Sequence, residues 1–119
     1  MAEANVTMLV RVINPKLSII DVAGDLNREA EEPLMAAYTE AATSSTKAVI
    51  FNFSGLDFMN SGGIGLVVTL LIRMNRQKQH MLAYGLSEHY QHIFELTRLN
   101  EAIGIYDSEA AAAAAAGAL

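Results

Sequence analysis

Ser61 is the residue best placed to do chemistry. It stands in Met59-Asn60-Ser61-Gly62-Gly63-Ile64-Gly65, where an amide and a hydroxyl precede three glycines at the opening of an apolar run. Two uses fit. Asn60 or Ser61 could serve as a helix N-cap, a position that favours both types, with the glycines allowing tight helix packing. The alternative is a seat for a phosphate. Glycines let another molecule approach the backbone and leave the hydroxyl unshielded, at a terminus whose free N–H groups and dipole favour negative charge. Each glycine costs about 0.8–1 kcal/mol relative to Ala inside a helix, so three in the first turns need one reason or the other.

Other chemistry finds little support. A Walker loop would need Lys followed by Ser or Thr after its second glycine, and a dinucleotide fingerprint would need its glycines directly after a strand; here a loop intervenes between the strand ending near Phe51 and Ser61. There is no Gly-x-Ser-x-Gly elbow. His89 and His92, with Glu88 and Glu95 nearby, have loosely metal-like spacing but fall short of a four-ligand set. His80 ends a polar helix segment as a solvated terminus partner, and Met59, Met74 and Met81 read as core fillers. With no convergent set of acids, bases or ligands, no catalytic residue and no metal ligand is assigned. The expected class is a binding protein rather than an enzyme.

The elements that must position Ser61 follow from periodicity. Ala48-Val49-Ile50-Phe51 is a continuous apolar run, the pattern of a strand covered on both faces. Ile64, Val67, Val68 and Leu71 then recur at helical spacing, and Arg73, Arg76 and Lys78 suit a helix C-terminus, so the central helix runs from about Ser61 to about Gln77. Upstream, Val6 to Ile13 and Leu17 to Val22 flank the turn signal Asn14-Pro15-Lys16 and predict a hairpin. Asn27 can cap a helix that has Glu29, Glu31 and Glu32 in its first turns. Either that helix begins with Pro33 at its first position or it tolerates a kink. Downstream, Met81 to Tyr84 is a short strand, and Ser87 opens a helix with the stripe Tyr90, Ile93, Phe94 and Leu96 that ends near Leu99. Ile103 to Tyr106 reads as an edge strand, and Asp107 or Ser108 as the cap of a terminal helix. Its alanines have high helix propensity but no anchoring side chains, so this helix is expected to fray.

Composition sets the class. A chain of 119 residues with 52% hydrophobic and 18% charged residues is one globular domain, and the order strand, strand, helix, then strand-helix repeats makes it α/β, with helices packed on a mostly parallel sheet. The net charge of −5, with 8 Lys and Arg spread along the chain, argues against nucleic acid and anionic lipid as partners. Absence of cysteine excludes disulfides and fits a cytoplasmic setting. Neither a signal-peptide pattern nor an apolar run long enough to insert in a membrane is present.

Three motifs together resemble a known family, the STAS domain of bacterial anti-sigma-factor antagonists: Gly24-Asp25-Leu26-Asn27, Met59-Asn60-Ser61-Gly62-Gly63-Ile64-Gly65, and Ile93-Phe94-Glu95-Leu96-Thr97-Arg98-Leu99. The resemblance covers roughly Val6 to Ala112. It implies a single STAS-like domain over residues 6–109, with a four- to five-stranded, mostly parallel sheet and an N-terminal antiparallel hairpin strand, followed by an Ala-rich tail, 110–119, as helix extension or disordered segment.

The resemblance further implies a switch. Ser61 would be phosphorylated by an anti-sigma factor that is itself a serine kinase, and the unphosphorylated form would bind that kinase and free a sigma factor. This chain would carry no cofactor, the ATP being bound by the partner; a phosphatase that reverses the modification is compatible with the same scheme. Asn27, Asn60, Gly62 and Gly63 would surround the phosphosite, while Gly24, Asp25, Asn27, Asp57, Phe58, Met59, Asn60 and Ser61 would meet the partner. Asn27 and Asn60 stand where family members commonly carry Asp; the amides keep the capping ability and remove two charges. Members of the family also act as unphosphorylated scaffold subunits of signalling complexes or as accessory subunits of lipid transporters, and that alternative use of the same face stays open.

Overall fold

In the computed structural model, which describes residues 4–119, the chain builds a sheet in the order β1-β2-β3-β4-β5. The strands are β1 Val6–Asn14, β2 Leu17–Leu26, β3 Ala48–Met59, β4 His80–Tyr84 and β5 Gly104–Tyr106. β1 and β2 form the expected antiparallel hairpin, and β2 to β5 run parallel. Each parallel step needs a crossover, supplied by α1 Glu31–Ala41, α2 Ser61–Arg76 and α3 Glu88–Leu96. A fourth helix, α4, spans Glu109–Gly117.

Strand alternation divides the apolar residues between two layers. Ile20, Val22, Val49, Phe51, Phe53, Met81 and Ala83 bury against α1, α2 and α3, with Phe94 fully buried among them. The opposite face carries Leu17, Ile19, Ala48, Ile50, Leu82 and Tyr84, covered by Ala112 and Ala116 of α4. The expectation of a fraying tail is therefore corrected. Methyl groups suffice for close docking, and Glu109 ties the start of α4 to Arg11 at 2.7 Å and to Tyr84 at 2.9 Å. Beside α4 the sheet surface carries a polar chain in which Arg11 grips Asp21 through both Nε (2.7 Å) and Nη2 (2.8 Å), and Asn52 donates to Asp21 at 2.7 Å.

The central strand is longer than its apolar run. β3 continues through Ser54-Gly55-Leu56-Asp57-Phe58 to Met59, paired with the end of β2 through Ala23↔Gly55, Gly24↔Leu56, Asp25↔Phe58 and Leu26↔Met59. Two register shifts, between Asp21 and Ala23 and between Gly24 and Asp25, place extra residues on β3. These break the alternation, which is why the stretch reads as a loop from sequence.

Other boundaries shift for local reasons. Asn27 is a cap, accepting from the Glu29 N–H at 3.0 Å, but a 3-10 turn, Arg28–Ala30, comes first and α1 begins at Glu31. Pro33 thus falls in the first turn of α1, where a missing N–H costs little. α3 stops at Leu96 because Arg98 adopts a left-handed conformation. Leu96, read as part of the buried stripe, is 71% exposed. His80 opens β4 rather than ending a helix.

Candidate functional site

The ends of β2 and β3 project past β4, whose pairing with β3 stops at Asn52↔Tyr84, and they lead into the starts of α1 and α2. Gly24 to Asn27 and Asp57 to Ser61 therefore lie side by side, as strand ends rather than as loops. The Asn60 N–H donates to the Leu26 carbonyl at 3.3 Å and joins the two segments.

Asn60 settles the capping question. Its side-chain oxygen accepts the Gly63 N–H at 3.0 Å, and its carbonyl accepts the Ile64 N–H at 3.0 Å. Ser61 is the first helical residue, exposed, and its hydroxyl makes no hydrogen bond among the described residues. The hydroxyl is not a cap. The N–H groups of Ser61 and Gly62, at the first two helical positions, have no intrahelical acceptor and face the same end.

The three glycines have three different reasons. A Cβ on Gly63 would collide with the Leu26 carbonyl, so this buried glycine is required by the approach of α2 to β2 and is not a surface residue. A Cβ on Gly62 would lie 3.2 Å from the Arg28 backbone N and 3.4 Å from the Arg28 Cβ. Gly65 would meet nothing within 4 Å. Only Gly65 leaves backbone bare toward solvent without an internal need.

The residues expected to meet a partner divide by burial. Phe58 is 47% exposed, Asp57 is exposed, and Asp25 is half-buried with Asn5 donating to its carboxylate at 3.0 Å. At 4% exposure Met59 belongs to the core, in line with its reading as a core filler; its place among the partner-facing residues is what the burial corrects, since the alternation of β3 turns it under α2 while Phe58 turns out. Gly24 has φ +98 and lies against the Asn5 carbonyl, a backbone reason for glycine independent of any partner.

Two features escaped the sequence reading. Tyr90 reaches from α3 to accept the Met59 N–H at 2.8 Å, fixing the strand end that carries Asn60 and Ser61. Ser61, Gly65, Val68, Thr69, Ile72 and Arg76 also share one face of α2 by helical spacing, and Ile72 is 49% exposed on it. The spacing of Ile72 from Ser61 was legible; its exposure depended on which face α2 turns to the sheet.

The arrangement offers a solvent-facing hydroxyl, two unpaired N–H groups and a positive helix end, with exposed apolar Phe58 three residues before Ser61 and exposed Ile72 about three turns further along the same face of α2. It suits a modifiable protein-binding surface. Among the described residues no helix is long and apolar enough to cross a membrane.

Comparison with known proteins agrees with this geometry. The STAS domain family model matches residues 8–112. An anti-sigma-B factor antagonist from Staphylococcus aureus is 26% identical over 82 residues, covering 69% of this chain and 76% of the relative. The crystal structure of an anti-sigma factor antagonist from Mycobacterium paratuberculosis superposes with a TM-score of 0.79 at 18% identity, covering 97% of this chain and 98% of the other. The Bacillus cell fate determinant SpoIIAA, in its phosphorylated form, gives a TM-score of 0.68 at 22% identity, covering 88% of this chain and 96% of that chain.

Proposed function

The chain belongs to the STAS domain family, and on that footing we propose that it is an anti-sigma-factor antagonist: a binding module that holds an anti-sigma factor with serine-kinase activity, frees the sigma factor, and is switched off by phosphorylation of Ser61. The observation that carries the reading is the division of labour at the start of α2. Asn60 does the capping, so the Ser61 hydroxyl is exposed and without a structural task.

Phosphorylation would join Ser61 Oγ to the γ-phosphorus of ATP as the bond to ADP breaks, the hydroxyl proton passing to a base on the kinase. No carboxylate or imidazole among the described residues of this chain hydrogen-bonds that hydroxyl, in keeping with a substrate rather than a catalyst. The product carries about −1.5 to −2 charges. A helix N-terminus accepts such charge in place, so the fold persists while bulk and charge appear at the start of α2, between exposed Phe58 and the face of α2 that carries Gly65. Binding is lost by obstruction and repulsion, not by refolding. The Staphylococcus aureus relative named as an antagonist, and the same fold in a protein whose phosphorylated form has been solved, support this reading.

The test is affinity capture with the wild-type chain followed by mass spectrometry, then incubation of the captured protein with ATP. A histidine-kinase-like ATPase that places phosphate on Ser61 is the expected result; subunits of a transporter or signalling complex with Ser61 unmodified would overturn it.

A further inference from the structure

We infer that Arg28 is the internal receiver of the Ser61 phosphate, closing from the 3-10 turn after β2 onto the start of α2. This deepens the reading just given and rests on Ser61 being the modified residue. Three observations carry it. Arg28 lies directly over the first turn of α2, with its backbone N 3.2 Å and its Cβ 3.4 Å from the place a Gly62 side chain would fill. A methyl at Gly62 would press on Arg28 and on the Asn60 side-chain oxygen, also 3.2 Å away, so the glycine leaves Arg28 room to lie close. Arg28 is also exposed and makes no ion pair with any described carboxylate, in contrast to Arg11 and Arg98.

Reach and chemistry agree. The Arg28 Cβ sits against the residue next to Ser61, and an arginine side chain extends several bonds beyond its Cβ, long enough to bring its fork to a phosphate on Ser61 Oγ. Arginine matches phosphate oxygens in bidentate fashion. The two N–H groups of Ser61 and Gly62 complete a cradle that needs no side chain at Gly62. The neighbouring positions Asn27 and Asn60 carry amides, so neither competes for the guanidinium with a charge. The modification would thus tie the start of α1 to the start of α2 across the site, making the phosphorylated surface rigid as well as charged.

The test uses full-length protein with phosphoserine installed at position 61 during translation, so that no kinase is needed. Phosphorus NMR follows the second ionisation of the phosphate against pH, which lies near ~6 for a free phosphoserine. The carboxylates of Asp25 and Asp57 on the adjoining strand ends, and of Glu29, Glu31 and Glu32 in the 3-10 turn and the first turn of α1, are present in every variant, and Arg76, at the far end of α2, serves as the control cation. The expected result is a midpoint lower by at least about half a pH unit in the parent than in Arg28→Gln, partly restored in Arg28→Lys and unchanged in Arg76→Gln. Equal midpoints in parent and Arg28→Gln would overturn the assignment. A kinase that ignores Ser61 would instead remove the switch while leaving this titration as it is, so the two failures are distinguishable.

Discussion

The phenolic oxygen of Tyr90 accepts the Met59 N–H at 2.8 Å, so α3 holds the last residue of β3 two places before Ser61. β4 has already ended, and this part of β3 has β2 on one side only. The bond replaces the missing ladder partner.

Removing it should cost stability and loosen the site together. Tyr90→Phe leaves a part-buried donor unpaired, worth about 1–3 kcal/mol. Urea unfolding should show that loss, and hydrogen exchange should show faster opening at Met59 and Asn60 than in the rest of β3. Unchanged exchange at those amides would remove Tyr90 from the account of the site.

Two glycines two residues apart, Gly63 and Gly65, should respond in opposite ways. Gly63→Ala drives a methyl into the Leu26 carbonyl and should destabilise strongly, beyond the usual range of about 0.5–3 kcal/mol for single changes or near its upper end. Gly65→Ala meets open space and should stabilise by about 0.4–1 kcal/mol. On the proposed function, calorimetric partner titration should nonetheless show weaker binding for Gly65→Ala, because the exposed backbone at Gly65 lies one turn from Ser61 on the proposed partner face.

The docking of α4 should depend on acid. Hydrogen bonds from Arg11 hold the Asp21 carboxyl below its ordinary range, helped by Asn52 and opposed by burial. Glu109 is likewise lowered, first by Arg11 and then by Tyr84. A depressed folded pKa adds stability that is present above the unfolded carboxylate values, about 3.9 for Asp and 4.3 for Glu, and is lost as pH falls through the folded ones. Urea midpoints should begin to drop below about pH 5 and keep falling as pH passes through the lowered folded values. Asp21→Asn and Glu109→Gln should each start lower at neutral pH and fall less, and Glu109→Gln should speed exchange along α4.

How much of this was legible in the sequence depended on whether a residue's surroundings repeat a pattern. The apolar runs of β1, β2 and β4 and the helical spacing of Ile64, Val67 and Leu71 carry their own period, so the order of elements and the start of α2 at Ser61 follow from the residues alone. The extension of β3 to Met59 was hidden because its register shifts break the period of two. For that reason Phe58 and Met59 were grouped together on the partner face, although one is exposed and the other buried. α4 was hidden for the opposite reason: seven alanines in a row have no apolar stripe, and only the sheet decides that Ala112 and Ala116 turn inward. Long-range pairs such as Arg11 with Glu109, or Tyr90 with Met59, leave no trace in local spacing.

The most direct measurement is calorimetric affinity for the captured kinase of the wild type, Ser61→Ala and Ser61→Asp at matched folded fraction. Ser61 is exposed and is not the cap, so Ser61→Ala should change stability by no more than about 0.5 kcal/mol and bind as the wild type does. Ser61→Asp places charge at the centre of the surface and should bind at least about tenfold more weakly, ~1.4 kcal/mol, with its fold intact. Equal affinity for all three proteins, with no phosphate transferred to Ser61 from ATP, would contradict the switch and leave the site a permanent binding face.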